Sequence, residues 1–153
     1  MLRDDIGQAL KDAMKAKDPR AVSTLRLILA AIKDRDIAAR GDGNPDGIGD
    51  AEVMKVLQTM VKQRHDSIAL YARGGRQDLV EQEAAEIGII ERFLPEQMSE
   101  KEIAAAVDAA VTELEAGSLK DMGRTMAHLR ERYAGQMDFA RAGALLKARL
   151  GAN

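Results

Sequence analysis

The sequence predicts an all-α protein, and three observations carry that reading. Alanine, leucine, isoleucine and methionine fill the apolar positions, while aromatic residues make up 3% of the chain and tryptophan is absent; this palette suits helices rather than sheets. The apolar positions recur at three- and four-residue spacing, and no segment shows convincing period-two alternation. The interruptions are helix punctuation: Asp18-Pro19, Gly74-Gly75, Pro95, Ser99-x-x-Glu102 and Gly117 supply caps, turns or stops. With 153 residues and 46% hydrophobic content, the chain can bury one good core or two small ones.

The elements follow in order. Leu2, Ile6, Ala9, Leu10, Ala13 and Met14 make a first amphipathic helix. Asp18 and Pro19 then offer a cap and a first-turn proline to a second helix, which runs to about Arg40 through Val22, Leu25, Ile28, Leu29 and Ile32. Gly41 to Gly49 has no periodicity and several residues that tolerate positive φ, so an exposed, mobile loop is expected. Its Asp and Asn residues do not make a calcium loop, because no glutamate stands at the last ligand position. Asp50 is expected to cap a third helix ending near Arg73, and a fourth spans roughly Arg76 to Leu94 before Pro95 stops it. Ser99 and Glu102 form a capping box that opens a fifth helix on Ile103, Val107, Ala110, Val111 and Leu114, ended by Gly117. Two shorter helices, Asp121 to Tyr133 and Asp138 to Leu150, complete the chain. The expected organisation is an amino-terminal unit of two helical hairpins over residues 1–96, followed by a three-helix unit over 97–153.

The hairpin around Gly74-Gly75 carries charges on its apolar stripe. Leu57, Met60, Val61, Ile68 and Tyr71 share one face, and Arg64 lies on it, so the guanidinium needs a partner. An antiparallel register about the glycines places residues opposite when their numbers sum to roughly 149. Arg64 then faces Glu83 or Glu86; Glu83 is the expected partner and Glu86 the alternate, in a structural charge pair rather than an acid/base pair.

Chemistry-bearing patterns are few. There are no cysteines, which removes disulfides, thiolate metal sites and cysteine nucleophiles. His65 and His128 stand far apart without zinc-site spacing, and none of Ser23, Ser67, Ser99 and Ser118 sits on a nucleophile elbow. No catalytic residue, metal site or cofactor is predicted. The amino terminus has no apolar signal core and no run approaches a membrane span. Together with the absence of cysteine, this sets the expectation of a soluble, cytoplasmic protein with no membrane association.

The net charge is −2, but it is distributed unevenly. Residues 1–40 hold nine Lys and Arg against six acids, residues 41–97 six against eleven, and residues 98–153 eight against eight. A polyanion should therefore meet the ends of the chain rather than its middle. Two basic rows are candidates for phosphate contact: Arg26, Lys33 and Arg40 at seven-residue spacing on the second helix, and Lys120, Arg124 and His128 at four-residue spacing, continued by Arg132. The second row begins at a helix amino end, where free N–H groups favour an anion. The scarcity of aromatic residues argues against base stacking.

Several pieces in order resemble the GatB/YqeY family across nearly the whole chain. They are Thr24-Leu25-Arg26-Leu27-Ile28, Lys62-Gln63-Arg64-x-Asp66-Ser67-Ile68-x-x-Tyr71, Gly75-Arg76-x-Asp78-Leu79, Glu83-x-x-Glu86, Phe93-Leu94-Pro95-x-Gln97 and Lys120-Asp121-Met122-Gly123-Arg124-x-Met126. The resemblance is to stand-alone proteins similar to the tail of GatB, a component of the aspartyl/glutamyl-tRNA amidotransferase. It implies a helical unit followed by a three-helix unit, and a link to tRNA. Family membership also carries the label of a carbon-nitrogen ligase with glutamine as amido donor, but the amidase nucleophile and the phosphorylating cradle belong to parts this chain does not match. The expected function is a tRNA-associated accessory module without a catalytic centre of its own. The alternatives are a protein-protein adaptor for a tRNA synthetase or amidotransferase, and a ligase component active only in a complex.

Overall fold

The computed structural model describes residues 1–152, and among them it is all-helical. The helices are α1 (Leu2–Lys15), α2 (Pro19–Gly41), α3 (Asp50–Arg73), α4 (Gln77–Glu91), α5 (Glu100–Glu113), α6 (Met122–Arg132) and α7 (Phe139–Gly151), with one 3₁₀ turn at Leu119–Asp121 before α6. The chain divides into two compact units, Met1–Pro95 and Glu96–Asn153.

The caps show why the helices start where they do. The Asp18 side chain accepts from the Ala21 N–H with Pro19 in the first turn, Ser99 and Glu102 close a reciprocal capping box on α5, and Asp138 accepts from Ala140 and Arg141 at the start of α7. Three boundaries differ from the sequence reading. Gly49, not Asp50, is the N-cap of α3, and the Asp50 carboxylate instead accepts from the Leu2 N–H at 3.2 Å. α4 ends at Glu91 because Pro95 keeps the preceding residue out of the α region; Phe93 and Leu94 nevertheless pack half-buried on the core. α5 ends at Glu113, and Glu115, at φ 52°, takes the left-handed turn that the sequence pattern assigns to Gly117.

The amino-terminal core is built from Ile6, Leu25, Ile28, Ile32, Val53, Leu57 and Ile90. Burial stops partway along the α3/α4 hairpin: from Val61 to Glu86 no residue is fully buried. Two helices alone are too thin to enclose a side chain, so this half of the hairpin is an arm. The carboxy-terminal core is a separate cluster containing Ile103, Val107, Leu129, Met137, Leu146 and Leu150.

One core group is polar and unsatisfied. Thr24 is fully buried and its hydroxyl has no hydrogen-bond partner, a condition that costs about 1–3 kcal/mol. Thr24→Val keeps the shape and removes the stranded hydroxyl, so it is expected to raise stability by about 1 kcal/mol. A denaturant titration checks this; a lower midpoint would show that the hydroxyl is bonded in solution.

Candidate nucleic-acid interface

The two basic rows fare differently in the fold. On α2, Arg26, Lys33 and Arg40 are all exposed. None of the three forms an ion pair among the described residues; Arg40 makes one bond, Nε donating to the Pro45 carbonyl at 3.3 Å. On α6 the row is interleaved with acids. Arg124 Nε lies 3.1 Å from Asp121 Oδ1, and Glu113 of α5 approaches His128 Nε2 at 3.6 Å and Arg132 Nη1 at 3.9 Å. Arg132 also stands over the Tyr133 ring, 6.0 Å from its centroid. Lys120 is exposed in the 3₁₀ turn.

The amino end of α6 is not the open anion site that its position suggested. Asp121 Oδ2 accepts from the Gly117 N–H at 2.8 Å and the Ser118 N–H at 3.3 Å. The chain's own carboxylate therefore takes the place a phosphate would hold. The Gly117 N–H, the Arg124 guanidinium and the Ser118 N–H keep Asp121 below the usual carboxylate range. Arg124 nonetheless bonds through Nε alone among the described residues, and its two terminal nitrogens keep their donors.

The charge pair in the hairpin is at the base of the arm. Arg64 Nε donates to Glu86 Oε2 at 3.1 Å, while Glu83 Oε2 stands at 4.0 Å. The order of partners is thus the reverse of the one expected, because the turn brings Glu86 closer to direct opposition. Arg64 Nη1 also donates to the Met60 carbonyl at 3.2 Å, and the Arg64 and Glu86 side chains are each 13% exposed.

A second charged cluster has no counterpart in the sequence reading. Asp36 is 7% exposed and accepts two bonds from Arg3, at 2.8 and 2.9 Å, and one from the Ile48 N–H at 2.9 Å. Arg3 Nη2 donates onward to the Ile48 carbonyl at 2.7 Å. Gly47 is buried at φ +81°, and a Cβ there would run into the Asp36 carboxylate. The connection between α2 and α3 is therefore exposed over 42–46 and at Gly49 but is pinned at Gly47-Ile48. Its freedom is less than its composition suggested, because the buried carboxylate needs the loop's backbone as a donor.

Among the described residues no three His, Cys, Asp or Glu side chains gather as a metal site would need, and no helix is long and apolar enough to cross a membrane. Fold and surface together define a small all-helical, two-unit protein whose chemical features are exposed cations and structural ion pairs. It belongs to the Yqey-like protein family, which matches residues 3–150 and is found both as stand-alone proteins and in the carboxy-terminal tail of GatB. The chain is also similar to "Altered inheritance of mitochondria protein 41, mitochondrial" from several fungi. Identity to the Lachancea thermotolerans protein is 37% over 107 residues, covering 69% of this chain and 55% of the relative. For Kluyveromyces lactis it is 37% over 110 residues, 70% and 57%, and for Pyrenophora tritici-repentis 30% over 128 residues, 80% and 68%. The chain thus spans a little over half the length of the first two.

These names correct the cytoplasmic expectation, since the relatives are mitochondrial proteins by name. Cysteine usage separates oxidising from reducing compartments and makes no distinction among the reducing ones.

Proposed function

We propose that the chain is a tRNA-associated accessory module that holds RNA by its phosphates and leaves the chemistry to its partners. The observation that carries this reading is the α6 row. Lys120, Arg124 and Arg132 stand exposed along one short stretch, and Arg124 keeps its terminal donors. The ion pairs with Asp121 and Glu113 do not disqualify the row, because exposed pairs are worth only about 0–1 kcal/mol and exchange readily. Membership in a family also found in an amidotransferase tail supports RNA as the anion. The α2 row has the charges but sits beside exposed aliphatic side chains, which phosphate contact does not call for.

Replacing Lys120 and Arg124 together with alanine is the test. Binding to all tRNAs should weaken about equally, because phosphate contacts position without specifying sequence. The slope of log K against log salt should become shallower by roughly 0.7 to 0.9 for each phosphate released. The fold should survive, since Asp121 keeps its bonds to Gly117 and Ser118. A flat titration of folded wild-type protein against total tRNA at near-physiological salt would replace the RNA reading with the adaptor.

A further inference from the structure

Glu113 stands where the stability of the carboxy-terminal unit does not call for it. It is the last residue of α5, the end at which the helix dipole disfavours a carboxylate. Its side chain is 57% exposed, and its two approaches, 3.6 Å to His128 Nε2 and 3.9 Å to Arg132 Nη1, are both longer than a hydrogen bond. α6 does not depend on it either, because Arg130 and Arg132 stand in the last turn of that helix, where cations are favoured without a partner. Asp121, the carboxylate at the other end of the row, is different. It accepts from two backbone N–H groups and from Arg124, so it belongs to the turn, whereas Glu113 is held by charge alone.

We infer that Glu113 is an autoinhibitory carboxylate: it occupies His128 and Arg132 in the free protein and must be displaced before the far end of the α6 row takes a phosphate. Lys120 and Arg132 are twelve residues apart, roughly 18 Å along the axis, so a strand held at Lys120 and Arg124 has to extend over further phosphates to reach Arg132. It gains that contact only by moving Glu113 aside, and the displacement subtracts from the affinity of the whole row. An exposed side chain with no hydrogen bond to break can swing away into water, which keeps the device reversible. The inference rests on the tRNA reading and adds to it the way in which the site is held in check.

Binding of total tRNA to the full chain, measured over a range of salt, tests it. Glu113→Gln should bind about fivefold more tightly than wild type at low salt, the upper end of what an exposed pair is worth. Its slope of log K against log salt should be steeper by roughly 0.7 to 0.9 once Arg132 reaches a phosphate. Removing any acid favours a polyanion, so a mutant cycle decides: with Arg132→Gln and His128→Gln already in place, the gain from Glu113→Gln should vanish. Glu131 is exposed seven residues after Arg124 and forms no ion pair among the described residues; the effect of Glu131→Gln should be the same in both backgrounds. Melts of Glu113→Gln should match or exceed that of the wild type. A gain that persists without Arg132 and His128 overturns the inference and leaves the tRNA reading standing, as does the absence of any gain where the wild type binds. Flat titrations of both proteins at low salt overturn the inference together with that reading, while binding by the variant alone shows the inhibition at its strongest.

Discussion

Asp36→Ala should destabilise the amino-terminal unit by about 3 kcal/mol, the range in which removal of one partner from a buried ion pair falls. The Asp36 side chain is 10% exposed and holds three hydrogen bonds at 2.8 to 2.9 Å. Its loss leaves the Arg3 guanidinium against a single carbonyl and strands the Ile48 N–H, since the loop has no other acceptor in place there. Asp36→Asn separates the two losses: an amide oxygen can still accept from Ile48, but its NH₂ then faces the donors of Arg3. It should recover only part of the deficit. Gly47→Ala should also destabilise, through its left-handed φ and through collision with Asp36. Pairing it with Asp36→Ala removes the collision and leaves the strain, so the double variant should lose less than the sum of the two single losses. The pH dependence has a definite sign. The bonds from Arg3 and then Ile48 lower the Asp36 pKa to about 2 from 3.8, so its contribution is fully present above the unfolded value and is lost as pH falls from about 4 through about 2. Denaturant titrations at pH 7 and through the acid range check this. A wild type and an Asp36→Asn variant that lose stability in parallel between pH 4 and 2 would show that Asp36 is not the titrating group.

The difference between the two charged clusters shows what a single sequence carries. Asp36 lies four residues after Ile32 and seven after Leu29, on the apolar side of α2, as Arg64 lies seven after Leu57 and four before Ile68 on α3. Both are charges on a core stripe, and both could be recognised as needing partners. For Arg64 a tight turn at Gly74-Gly75 sets the register, which narrows the partner to two glutamates on the facing helix. For Asp36 the partner is Arg3, 33 residues earlier, with a second donor in the loop 12 residues later; no short turn links either pair. Helix existence was legible because burial repeats at the helical period. The ends were less so, as at Phe93 and Leu94, where the apolar pattern continues but Pro95 ends the helix. The α6 row was visible as charges in line, but Glu113 belongs to another helix, and spacing along one helix says nothing about it.

Arg64→Ala should cost about 3 kcal/mol, which for a unit of this size lowers the melting temperature by roughly 10–20 °C. The site has little room for an alternative: the Arg64 and Glu86 side chains are 13% exposed and Glu83 is 17% exposed. Without the guanidinium, two carboxylates share a half-buried seam with no cation between them, and the Met60 carbonyl loses its second donor. The arm is sensitive for a further reason, since no residue from Val61 to Glu86 is fully buried and apolar burial offers little compensation there. Arg64→Lys should restore only part of the loss, because one ammonium cannot reproduce the Nε bond to Glu86 and the Nη1 bond to Met60 together. The geometry also orders the partners. Glu86→Gln breaks a 3.1 Å charge-assisted bond, whereas Glu83→Gln alters an approach at 4.0 Å, so the first should lower the melting temperature more than the second. An Arg64→Ala melt within a degree or two of wild type would mean that the arginine is solvated and the pair contributes nothing. A reversed order of the two glutamine variants would mean that Glu83 rather than Glu86 closes on Arg64 in solution.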